Sequence, residues 1–189
     1  MKRYSLRTVL FLALCCDLGL FSKRLVSPAA NLVTDSLHIP GGIGTSFSLM
    51  FLVVAAVLVS QPGCAAMMSI IQSVLALGLG MVGSMGALSP IGYILPGAVI
   101  DLFLLATTGL QAAWEVRMAL INAAAAVCAA LTANWIVFRL EGPALLLYVC
   151  VAAVSGTLCG LLGAAVARRL APVVTARKVG NTGVAEGTK

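Results

Sequence analysis

Charge is the first thing this sequence is short of. Twelve Lys and Arg and six Asp and Glu make up only 10% of the 189 residues. A soluble domain carries about a quarter charged residues, so an all-round aqueous surface is excluded. Histidine is nearly missing as well. His38 is the single one, which leaves no Ser/His/Asp or Cys/His catalytic set. There is no H-E-x-x-H pair and no Walker loop, and no two carboxylates are spaced for joint acid–base work. The string Gly78-Leu79-Gly80-Met81-Val82-Gly83 matches a dinucleotide loop by letters only, because it closes an apolar helix instead of following a strand. The cysteines Cys15, Cys16, Cys64, Cys128, Cys150 and Cys159 form no C-x-x-C pair and lie in apolar runs. They read as small packing residues, not as metal ligands or disulfide partners. Catalysis, a bound metal and a cofactor are therefore not expected.

What fills the chain is apolar: 61% of residues are hydrophobic, and the mean hydropathy is +1.08. This is the composition of an integral membrane protein, whose lipid partner is the bilayer itself. The formal charge of +6 does not indicate nucleic acid, because the basic residues sit at the ends of apolar stretches. The N-terminus imitates a secretion signal, with Lys2 and Arg3 before the Val9–Cys16 run. No small-x-small cleavage site follows, so a retained first helix is expected.

Crossing a bilayer takes about 20 apolar residues. Six stretches meet or approach this: 5–22, 45–60, 64–82, 91–110, 116–138 and 144–167. Gln61-Pro62-Gly63 and Glu141-Gly142-Pro143 mark tight turns. The expected fold is all-α, a compact bundle of six transmembrane helices over 1–169. A lid-like outer loop spans about 23–44, and a polar, disordered cytoplasmic tail spans 170–189. With the N-terminus inside, nine basic residues fall on the inner side and three (Lys23, Arg24, Arg139) on the outer, which places both termini in the cytoplasm. Small residues recur at helical spacing, as Ala119, Ala123, Ala126, Ala130 and Ala133, and as Gly156, Gly160 and Gly163. Such faces let helix backbones approach closely in lipid.

The stretch Ser89–Phe103, SPIGYILPGAVIDLF, organises the rest. Pro96 forces a helix to kink or start, and Asp101 falls deep in an apolar segment at a cost of about 2.5–3.5 kcal/mol on insertion scales. Asp17 and Gln72 are the other polar groups expected to be buried in the spans, either as helix–helix contacts or in a functional role. At the outer ends stand Tyr93, Asn134, Trp135, Arg139 and Tyr148. The outer loop adds Asn31, Asp35 and His38 before Ile39-Pro40-Gly41-Gly42. These eight are the candidate substrate-binding residues. A flat aromatic beside an amide, as at Asn134-Trp135, suits a planar heterocycle, whereas Arg139 suits a carboxylate. Trp and Tyr at these depths also form ordinary interfacial belts.

The order of these features resembles the substrate-binding subunits (S components) of energy-coupling factor transporters. The resemblance covers about Leu6–Leu105. It rests on the basic first helix, I-P-G-G, the F-L-V-V-A-A-V-L-V helix, the Gly-rich third helix and Y-I-L-P-G-A-V-I-D-L. It implies a membrane subunit, of a bacterial plasma membrane, that captures a vitamin or related micronutrient outside. It also implies a coupling permease and two cytosolic ATPases as partners. The Ala-x-x-x-Ala docking patch of many members is missing from the first helix, which offers Ala13-x-x-x-Asp17 and Cys15-x-x-x-Gly19. The alternative is a structural or assembly membrane protein without a small-molecule ligand.

Overall fold

The computed structural model describes residues 6–36, 42–59, 61–80, 86, 88–107 and 113–179. These form six helices: α1 Leu6–Ser36, α2 Ile43–Val59, α3 Cys64–Gly78, α4 Ser89–Ala106, α5 Trp114–Leu131 and α6 Pro143–Val179. A π-helical segment, Thr132–Val137, continues α5. Three helical stretches are long and apolar enough to cross a membrane: Ser89–Ala106, Trp114–Ile136 and Pro143–Pro172. Together with the composition they mark a membrane protein. At 1.5 Å per residue α2 and α3 are only about 25 and 22 Å long, short of a bilayer core of about 30 Å.

The short α2 is the hub. It contacts every other helix, and Leu52, Ala55 and Ala56 are completely buried. The other helices form an arc around it in the order α1, α3, α4, α5, α6, with no contact between α1 and α6 among the described residues. Helical phase places Phe47, Phe51 and Leu58 of α2 towards that seam, between the residues that meet α1 (Gly44, Ser48) and those that meet α6 (Met50, Val54). Phe47 and Phe51 meet edge to face there, 5.6 Å apart.

The small-residue stripes pack inside the bundle. A Cβ added to Gly160 of α6 would stand 2.6 Å from Ala119 Cα of α5, and one on Gly156 would stand 2.8 Å from Ala123 Cα. Close approach of the two backbones requires glycine at both positions. At Gly163 an added Cβ would meet a side chain instead, Met50 Cγ of α2 at 2.8 Å.

Two expected boundaries move. The segment expected as a lid-like loop is mostly helix, because α1 runs on to Ser36. No glycine follows Gly19 within α1, and Pro28 is the only proline in the helix. Gly44 of α2 packs against Ser27, so tertiary contact holds the helix where the sequence reads as polar. Likewise α6 continues past Arg169 to Val179, through Pro172, into the stretch expected as tail. Residues 180–189 lie outside the described residues.

Asp17 is not buried. Leu12, Cys15, Cys16 and Leu20 form the inward face of α1. Asp17 falls with the exposed Leu10, Leu14, Leu18 and Phe21 on the other side. Gln72 and Asp101 are buried as expected, at 2% and 9% exposure. Gln72 Nε2 donates to the Cys16 carbonyl at 3.1 Å, and the Cys16 thiol donates to the Met68 carbonyl at 3.2 Å, which ties α3 to α1.

Candidate functional site

The bundle holds a cavity at each end. The first lies where α2 and α6 begin and α5 ends. It has a volume of about 350 Å³, within the range of small-molecule sites. Its walls are the methyl groups of Ala126, Ala129, Ala130, Ala133 and Ala152, with Phe138 beside them. Its polar groups come from Thr45, Ser46, Asn134 and Tyr148.

The π-helical segment builds one wall, and the local sequence explains it. Thr132 Oγ1 donates to the Cys128 carbonyl at 2.8 Å, and Asn134 Nδ2 donates to the Ala130 carbonyl at 2.9 Å. Both side chains take carbonyls four residues back, which competes with the α-helical ladder. The Phe138 N–H instead reaches Ala133, five residues back, at 3.1 Å. The chain then turns through Arg139, which holds a left-handed φ of 51°. The consequence is a split between neighbours. Asn134 lines the cavity and is 8% exposed, while Trp135 is 60% exposed and does not line it.

Beneath the cavity lies a polar cluster that joins three helices. Ser46 Oγ and Ser155 Oγ are 2.9 Å apart. Asn122, fully buried, donates from Nδ2 to the Gly156 carbonyl at 2.8 Å and to the Ser46 carbonyl at 3.4 Å. Its Oδ1 is buried without a hydrogen-bond partner. Because Ser46 lines the cavity, this cluster fixes part of the cavity floor.

The structure thus brings together two of the eight expected ligand residues, Asn134 and Tyr148. Trp135 and Arg139 are exposed and do not line the cavity. Tyr93 stands elsewhere, on α4, where its hydroxyl accepts from Lys23 Nζ at 3.3 Å. Asn31 and Asp35 fall near the end of α1, but their side chains, and all of His38, lie outside the described residues. Sequence reasoning missed Thr45, Ser46 and the alanine wall. Small residues on a buried face carry no chemical signal, and only the end of the alanine stripe, Ala126 to Ala133, pointed here.

The second cavity, of about 300 Å³, lies at the opposite end, lined by Ala56, Val57, Gln61, Pro62, Asp101, Leu104, Leu105, Trp114 and Arg117. Its charged groups are already committed. Asp101 accepts from the N–H groups of Ala65 and Ala66. Arg117 donates from Nε to Thr107 Oγ1 at 2.9 Å and from Nη2 to the Leu104 carbonyl at 3.3 Å. Nearby, Arg168 pairs with Glu115. These contacts hold the helix ends together, and the first cavity is the better candidate for a ligand. No protein-family model, curated protein or solved structure matches this chain.

Proposed function

We propose that this protein captures a small molecule in the cavity lined by Asn134 and Tyr148, as the substrate-binding membrane subunit of an ATP-driven importer. The observation that carries this reading is the cavity itself: small apolar walls, hydroxyl and amide groups at the edges, and a floor held by a buried polar cluster. Such a site orients a ligand without acting on its bonds. The identity of the importer rests on the sequence resemblance to energy-coupling factor subunits. In that setting six helices cross the bilayer, both termini face the cytoplasm, and the ligand is a vitamin or related micronutrient. A coupling permease and two ATPases supply the energy. The basic residues accord with this orientation, since Arg117 and Arg168 stand at the end opposite the ligand cavity.

The test is a ligand screen on the purified protein in detergent or nanodiscs. A ligand at a thousandfold excess over its Kd stabilises the folded state by about 4 kcal/mol. Water-soluble vitamins and their precursors should include at least one that raises the melting temperature by several degrees. A folded sample that responds to none of them removes the capture reading.

One observation favours a second reading, assembly into a larger membrane complex. Asp17 stands among exposed leucines on the outer face of α1. A carboxylate facing lipid costs about 2.5–3.5 kcal/mol, and a neighbouring transmembrane helix offering a hydrogen-bond donor removes that cost. Asp17→Leu should then shift the protein from a complex to a smaller species on native gels of solubilised membranes. Unchanged migration counts against this reading.

A further inference from the structure

We infer that the cavity between α2, α5 and α6 accepts an electrically neutral, polar and flat molecule, and rejects its charged analogues. This rests on the capture reading above and narrows its substrate class. No charged side chain lines the cavity among the described residues. Arg139, the nearest basic residue in sequence to Asn134 and the expected partner for a carboxylate, is turned outward instead.

An ion brought into this site would give up part of its hydration and meet no counter-charge among the described residues. That loss is not offset and disfavours the ion. A neutral ligand loses much less and recovers it through hydrogen bonds. The lining groups suit such a ligand: Thr45 and Tyr148 bring hydroxyls, which both donate and accept, beside a Ser46 hydroxyl shared with Ser155 and an Asn134 amide whose Nδ2 is given to the Ala130 carbonyl.

Shape follows from the alanines. Ala126, Ala130 and Ala133 recur at helical spacing and form a smooth methyl wall with Ala129 and Ala152 around it. A wall without protruding side chains accommodates a ring system laid flat against it. Asn122 adds a positioning role. It bonds the Ser46 carbonyl and thereby fixes the hydroxyl-bearing residue of the floor, but does not itself line the cavity.

The experiment uses matched pairs of flat molecules of nearly the same shape that differ in charge: nicotinamide with nicotinate, pyrazinamide with pyrazinoate, and quinoline-3-carboxamide with quinoline-3-carboxylate. Each is titrated into the full-length protein in nanodiscs, and binding is read by thermal shift and by calorimetry. The expected result is at least tenfold tighter binding of the neutral member in every pair that binds. Equal or tighter binding of a charged member overturns the inference but leaves the capture reading standing. Binding by no member, in a sample that responds to a compound of the vitamin screen, overturns the inference, whereas the capture reading falls only with that wider screen. Asn134→Asp supplies a second arm, because it places a charge in the cavity with almost no change of shape. It should weaken the best neutral binder at least tenfold more than Asn134→Ala does, since both variants lose the Nδ2 donor to the Ala130 carbonyl and only the aspartate adds charge. Retained neutral binding in this variant also overturns the inference. Asn122→Ala should reduce the preference between hydroxylated and deoxygenated forms of that binder, a readout that loss of packing alone does not move.

Discussion

Asp101 Oδ2, on α4, accepts a hydrogen bond from the Ala66 N–H at the start of α3, at 2.8 Å. Its other oxygen accepts from the Ala65 N–H at 3.2 Å. One carboxylate therefore satisfies two of the N–H groups that a helix start leaves without partners, and it places negative charge at the positive end of α3. The helices also touch one turn earlier, where a Cβ on Gly97 would stand 2.9 Å from the Ala65 carbonyl oxygen. Gly97 lets α3 come close and Asp101 locks it there.

Replacing Asp101 tests this directly. Asp101→Leu strands both N–H groups in an apolar setting and should cost about 2–4 kcal/mol, from the lost hydrogen bonds and lost helix-end charge. Asp101→Asn keeps an acceptor oxygen and should cost roughly half as much. Thermal unfolding of the purified variants measures the difference. If the leucine variant melts like the parent, the carboxylate is not anchoring α3.

The glycines of α6 make a sharper packing test. Gly160→Ala drives a methyl group to 2.6 Å from Ala119 Cα. The backbones of α5 and α6 must separate, and overpacking of this kind costs about 1–3 kcal/mol. Gly78→Ala is the control, since nothing lies within 4 Å of an added Cβ there. It should be neutral or stabilising by about 0.5–1 kcal/mol through helix propensity. Equal destabilisation by both substitutions would show that helix propensity, not close approach, governs these positions.

Much of this arrangement was legible beforehand. The Pro62-Gly63 turn is where the sequence put it, with Gly63 at a φ of 80° and Cys64 N–H bonded to the Gln61 carbonyl at 3.3 Å. Apolar runs gave the six helices because burial in lipid or protein imposes them directly. Helix length was not legible at Lys23–Ser36, because polar residues outside an apolar run suit a loop and a projecting helix equally. The phase of α1 was not legible either, so Asp17 was placed inward when it faces out. The site was half legible. Asn134 and Tyr148 stand out as polar groups near span ends, but the π-helical turn that sends Asn134 inward and Trp135 outward depends on side chains competing for backbone carbonyls. Adjacent residues in sequence carry no sign of which of them faces the cavity.

That split is itself a prediction. Asn134→Ala should weaken binding of the molecule found by the vitamin screen by about tenfold, the worth of one hydrogen bond inside a pocket. Trp135→Ala should leave it within about twofold, because the indole lies outside the cavity. Calorimetry on both variants decides. The reverse order would return Trp135 to the site.

Arg139 should behave as a turn residue. Its φ of 51° costs a non-glycine residue about 1–2 kcal/mol, which glycine avoids. Arg139→Gly should therefore raise thermal stability, or leave it unchanged if extra freedom in the unfolded chain offsets the gain. Ligand affinity should not move. A marked loss of affinity without loss of stability would make Arg139 a ligand contact after all.

Lys23 and Tyr93 form a tie between helices that otherwise stay apart. Among the described residues no helix–helix contact joins α1 to α4. Yet Lys23 Nζ donates to the Tyr93 hydroxyl at 3.3 Å and lies 4.5 Å from the ring centroid. The ammonium thus interacts with both the oxygen and the face of the same ring. Tyr93→Phe removes the hydroxyl and keeps the ring, so the loss should stay below about 0.5 kcal/mol. Tyr93→Ala removes both and should cost about 1 kcal/mol, as should Lys23→Met from the other side. The double variant Lys23→Met with Tyr93→Ala should cost little more than either alone, which identifies a shared interaction. Additive losses in thermal unfolding would mean that the two residues stabilise the fold independently. Because Tyr93 does not line the cavity, ligand affinity should survive Tyr93→Phe unchanged. A variant that melts normally but no longer binds would restore Tyr93 to the site.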